Sequence, residues 1–85
     1  MKTDGPPTDY KFLRTIGNRI KRLREELTDH SAEEFALKVE LDPDWYKNIE
    51  EGKVDAYVTD LLHISDFYPG LKPGDLVTKI PSSKI

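Results

Sequence analysis

The chain has 85 residues, no cysteine and a formal charge of −3, so it is expected to form one small domain with neither a disulfide framework nor a cysteine-based zinc site to staple it. No apolar run approaches the ~20 residues needed to span a bilayer, and the start MKTDGPPTDY lacks the apolar stretch of a signal peptide; a cytoplasmic protein without a membrane partner is expected. The charge is unevenly laid: residues 10–27 set Lys11, Arg14, Arg19, Lys21, Arg22 and Arg24 against Glu25 and Glu26, whereas residues 31–66 set Lys38, Lys47 and Lys53 against ten acids.

Residues 1–9 place Gly5, Pro6 and Pro7 among polar side chains and read as a disordered arm. With Lys2 as its one cation, this arm is poorly suited to tracking a nucleic acid. A first helix should then begin near Asp9 and run to about Leu27. Phe12, Ile16, Ile20, Leu23 and Leu27 recur at spacings of four, four, three and four, the helical period. Gly17 inside that helix costs roughly 1 kcal/mol relative to alanine. The cations fall on the other faces.

Asp29, His30 and Ser31 are the residue types of a hydrolytic triad, but consecutive residues cannot form the side-chain relay. His63 lies among Leu61, Leu62 and Ile64 and reads as a partly buried structural histidine. No catalytic constellation is present, and neither a cofactor nor a metal is expected.

The stretch SAEEFALKVELDPDWYKNIEEGK, from Ser31 to Lys53, reads as two short helices joined by a tight turn. Ser31 is a good N-cap with Glu34 three residues on, the spacing of a capping box. Phe35, Ala36 and Val39 make its apolar stripe. Asp42 caps the next helix, with Pro43 at the first helical position, where a missing N–H is harmless. Tyr46 and Ile49 face inward, and Gly52 supplies the left-handed residue that ends the helix.

A fourth helix fits from about Ala56 to Phe67, with Val58, Leu61, Leu62, Ile64, Ser65 and Phe67 on its inner face. Tyr68-Pro69-Gly70 stops it. The segment KPGDLV, with Pro73 at a helix start, can form a short fifth helix. Leu71, Leu76, Val77, Ile80 and Ile85 leave more apolar side chains than a short tail needs, and the first three can cap the core. Residues 78–85 make a C-terminal tail.

From Ile16 to Val77 the chain resembles the Cro/C1-type (XRE-like) helix-turn-helix family. The resemblance is carried in order by IGNRIKRLREEL, SAEEFA, YKNIEEGK and VTDLLHI. It implies an all-α, four- or five-helix lambda-repressor-like domain over residues 10–77, acting on double-stranded DNA as a transcriptional regulator and pairing as a homodimer. The resemblance also implies a close helix approach at Gly17, offsetting its cost, and a dimer surface at Leu71, Leu76, Val77, Ile80 and Ile85 as the alternative to core capping. In such a domain the second helix of the motif enters the major groove. The family's base-reading positions fall on Pro43, Asp44, Lys47 and Asn48, with Trp45 beside them. Asn48 can bond adenine bidentately and Asp44 can accept from cytosine. Phosphate contacts are implied for Ser31 at the second helix start, Lys53, and Arg19 and Arg22 on the first helix. Two departures stand out: Ala32 where the family places glutamine, and Glu40 where glycine is common in the turn.

A second reading keeps the fold and changes the partner. Asp42, Asp44, Ala32 and an exposed Trp45 would suit a module that binds a basic protein. Three placements are open to Trp45: against DNA, against a protein partner, or folded back over the first helix.

Overall fold

Local capping fixes the ends of the two central helices of this chain. The computed structural model describes residues 10–77; the arm expected over 1–9 and the tail expected over 78–85, with Ile80 and Ile85, lie outside the described residues. Within them are five helices and no strand: α1 (Tyr10–Leu27), α2 (Ala32–Lys38), α3 (Pro43–Glu50), α4 (Val58–Asp66) and α5 (Pro73–Val77).

Ser31 and Glu34 close the expected capping box on α2: the Ser31 hydroxyl accepts from the Glu34 N–H at 3.1 Å, and the Ser31 N–H donates to Glu34 Oε1 at 2.9 Å. Asp42 caps α3 through the Trp45 N–H, with Pro43 next in line. Both helices end in the same pattern of back-bonded amides. After α2, the Glu40 N–H donates to Leu37 and the Leu41 N–H to Ala36; after α3, Gly52 donates to Ile49 and Lys53 to Asn48. This Schellman closure needs a left-handed residue at its centre. Gly52 supplies it at φ 74, but after α2 the residue is Glu40, at φ 63.

The core is built where α1 crosses α3 and where α4 and α5 close over them. Ile16, Ile20, Phe35, Ala36, Val39, Tyr46, Ile49, Leu61, Ile64, Tyr68 and Leu76 form one buried cluster. Gly17 is the contact point of α1 with α3: a Cβ there would lie 2.5 Å from the Glu50 carbonyl oxygen. Leu76 is fully buried, with Leu71 and Val77 packed against the cluster, so these three cap the core.

Four expectations need correction. Leu13, outside the expected stripe, is buried, while Leu27 at the end of α1 is exposed; α1 turns its Leu13–Ile16–Ile20 face inward because α3 meets it at Gly17. Helix α4 starts two residues later than expected, since the Asp60 carboxylate accepts the Tyr57 N–H at 2.9 Å and fixes the start there. Val58 and Leu62 are 70% and 41% exposed instead of inner, one helical turn apart on one face. His63 is more exposed than expected. Its Nδ1 nevertheless sits 2.8 Å from the Val39 carbonyl oxygen. A carbonyl can only accept, so Nδ1 carries the proton, and the ring ties α4 to the turn after α2.

Candidate nucleic-acid interface

Helix α3 buries Tyr46, Ile49 and Glu50, which leaves Asp44 and Asn48, one turn apart, on its outward face. Asp44 is exposed and Asn48 half-exposed. Lys47 lies on the edge toward α2, where its ammonium is 3.2 Å from Glu33. Trp45 lies on the opposite edge, toward α4. Lys53 follows the helix, exposed, with its ammonium 2.9 Å from Glu51.

Trp45 is neither a free anchor nor folded over α1. Its indole N–H donates to Asp60 Oδ2 at 2.8 Å, and its ring stacks on Tyr57 with centroids 5.6 Å apart and an interplanar angle of 19°. The residue is half-buried and packed against the core, so the exposed Trp45 expected from sequence is corrected: it joins α3 to the start of α4.

The arginines of α1 do three different jobs. Arg24, expected among the surface cations, is buried and grips Glu50 with two bonds, Nε to Oε2 at 2.7 Å and Nη2 to Oε1 at 3.0 Å, while Nη1 donates to the His30 carbonyl at 3.0 Å. Those bonds to Glu50 hold the guanidinium even more firmly charged than usual and lock the end of α3 to α1. Arg19 turns toward α5, with Nη1 3.2 Å from the carbonyl oxygens of both Asp75 and Leu76. Arg22 is exposed on the outer side of α1. Ser31 is exposed, but its hydroxyl is engaged in capping α2.

A crevice of about 360 Å³ opens between α1, the start of α2 and the last turn of α3, lined by Arg14, Asn18, Lys21, Arg24, Ala32, Lys47, Glu50 and Glu51. Arg14, Asn18 and Lys21 were not among the expected contact residues. Their signal lay in Gly17: residues three before, one after and four after the contact glycine must flank α3 on the same side of α1. The crevice joins these side chains to Lys47 and so continues the outward face of α3 with positive charge.

The acids of the body are largely engaged within the fold. Glu34 and Asp42 cap helices, Glu50 holds Arg24, Asp60 holds Trp45 and Tyr57, and Glu33 and Glu51 pair with Lys47 and Lys53. Asp44 is the acid left standing on the outward face of α3. Among the described residues no group of three or more His, Asp or Glu side chains is placed to hold a metal ion, and no helix is long and apolar enough to cross a membrane.

No protein-family model matches the chain, and no solved structure matches it. A curated relative does: control protein C.MunI of Mycoplasma sp, 45% identical over 50 residues that span 59% of this chain and 68% of the relative. Identity at that level over more than two thirds of the relative shows common descent, and the chain belongs to the family of control protein C.MunI.

Proposed function

We propose that the protein is a sequence-specific DNA-binding transcriptional controller, with α3 entering the major groove and the genes of a restriction–modification system as its targets. The observation that carries this reading is the cationic crevice of Arg14, Lys21 and Lys47 beside the outward face of α3. Affinity for DNA comes from cations on phosphates and sequence preference from side chains at base edges. The crevice offers the first, and Asn48 the second. Kinship with a control protein supports the regulatory role.

In this reading Asn48 bonds an adenine edge, Asp44 selects for a cytosine amino group, and Lys47 reaches a guanine or a phosphate. Arg14, Lys21, Arg22 and Lys53 neutralise phosphates, while Ser31 and Arg19 act mainly by holding the helices that carry these groups. The alternative of a protein-binding module rested on Asp42, Asp44, Ala32 and an exposed Trp45, and the bond from Trp45 to Asp60 takes away the last of these supports.

A homodimer completes the proposal. Phe12, Leu13, Ile16, Ile49, Val54, Asp55, Ala56, Val58, Leu61 and Val77 line a largely apolar groove of about 300 Å³, with the exposed Val58 on its wall and the exposed Leu62 one helical turn further along α4. An apolar groove rimmed by exposed aliphatic side chains suits a second copy of the chain. Sedimentation of the wild type and of Leu62→Glu tests it: the variant should sediment as the lighter species.

The test of base reading is Asn48→Ala. Its selected binding site should become degenerate at one base pair, at a cost of about 1–3 kcal/mol on the wild-type site. Unchanged affinity together with an unchanged selected site would remove Asn48 from that role.

A further inference from the structure

We infer that Tyr57 is a second point of contact with DNA, its phenol donating a hydrogen bond to a backbone phosphate on the strand that flanks α3 on the α4 side. The inference rests on the DNA-binding reading above and extends it to an element outside the helix-turn-helix.

Three observations converge on this residue. The first is its exposure: Tyr57 is a large aromatic side chain, 66% exposed, with one ring face laid on Trp45. Trp45 borders the outward face of α3 on its α4 edge, next to Asn48, so the ring stacked on it stands at the edge of the proposed reading surface. The second is a broken local rule. Helices α2 and α3 carry Ser31 and Asp42 as N-caps and make the side-chain cap bond. Helix α4 has Tyr57 in that position, with no side-chain cap bond, where Ser, Thr, Asp or Asn is strongly preferred. The Tyr57 ring gains packing on Trp45 instead, but its hydroxyl takes no part in that stack or in the cap. The third is that the ring is held. One oxygen of the buried Asp60 accepts from both the Trp45 indole and the Tyr57 N–H, which fixes the backbone of Tyr57 and the plane of its stacking partner together.

The geometry of the major groove supplies the rest. A helix in a groove roughly 12 Å wide lies between two phosphate backbones. Arg14, Lys21 and Lys47 occupy one side of α3. The other side is that of Trp45 and Tyr57. A phenol there can donate to a phosphate oxygen without bringing a charge. Asp60 is then a positioning residue that acts through Trp45 and the Tyr57 backbone.

Tyr57→Phe removes the hydroxyl and leaves the stack, so circular dichroism and the fluorescence of Trp45, the sole tryptophan, should match wild type. On a duplex selected by the wild type, the variant should bind about tenfold more weakly, the worth of one hydrogen bond to a charged acceptor. The dependence on salt should be unchanged, because a neutral donor releases no counterion. Phosphate-ethylation interference gives the direct readout: one backbone phosphate whose ethylation weakens the wild type should become indifferent in Tyr57→Phe. An identical interference pattern and equal affinity for both proteins would overturn the contact while leaving the DNA-binding reading intact. Failure of the wild type itself to bind any duplex would remove both.

Discussion

Arg24 and Glu50 meet inside the fold with a bidentate geometry, and their side chains are 10% and 6% exposed. Two charges taken out of water are costly, and the remaining donor, Nη1, is satisfied by the His30 carbonyl. Truncating one partner would strand the other in the interior. Arg24→Met is therefore expected to lower the free energy of urea unfolding by about 3–5 kcal/mol, whereas Arg24→Met combined with Glu50→Leu should recover most of the loss. A double variant as unstable as the single one would mean that the arginine acts through packing alone. The pair also links stability to the site, because Glu50 ends α3 and His30 precedes α2. Loosening it should blur the placement of Asn48 as well as weaken the fold.

At the scale of elements, the two Schellman closures permit a controlled comparison. Gly52 holds its left-handed φ without strain, while Glu40 adopts the same region with a side chain. A non-glycine residue there stores of order 1 kcal/mol. Glu40→Gly should raise thermal stability by about that amount, measured by calorimetry. Gly52→Ala should lower it, since the added Cβ would lie 2.5 Å from Arg14 Cγ in addition to the φ strain. A destabilised Glu40→Gly would show that the turn is held by contacts of the glutamate side chain.

The same elements show what the amino-acid order reveals by itself. The capping box at Ser31, the start at Asp42-Pro43, the stop at Gly52 and the departure at Glu40 are decided within four residues of chain and were readable. Which face of α1 meets α3, which cations line the crevice and where Trp45 goes depend on docking between helices far apart in sequence. Gly17 hinted at the first two. Nothing local to Trp45 announces that Asp60, fifteen residues on, will accept its indole N–H.

At the scale of the whole molecule, the interior carries a signature in alkali. The Tyr46 and Tyr68 hydroxyls are buried without a hydrogen-bond partner among the described residues. Burial pushes Tyr68 up to about 12 and Tyr46 higher still, the latter reinforced by the nearby Glu50 carboxylate. Below the ordinary tyrosine value of about 10, both folded and unfolded chains keep these protons and stability is indifferent to them. Above it the unfolded chain releases protons that the folded one retains, so each tyrosine costs stability at about 1.4 kcal/mol per pH unit. Urea midpoints should fall between pH 10 and 12, more steeply for the wild type than for Tyr68→Phe. Parallel slopes would mean that Tyr68 is hydrated in the folded protein.

The whole-molecule charge of −3 bears on function in the same way. Because Glu33, Glu50 and Glu51 pair with Lys47, Arg24 and Lys53, those charges largely cancel in place, and the field beside α3 is set by the exposed Arg14 and Lys21 more than by the net sum. The most direct test of that claim is fluorescence anisotropy of a labelled random-duplex pool, titrated with protein at several salt concentrations. The expected result is binding that weakens steeply with salt, with a log–log slope of about −0.9 for each phosphate neutralised, and whose slope becomes shallower when Arg14 or Lys21 is replaced by glutamine. Absence of binding at low salt, from a protein that is helical by circular dichroism, would contradict it.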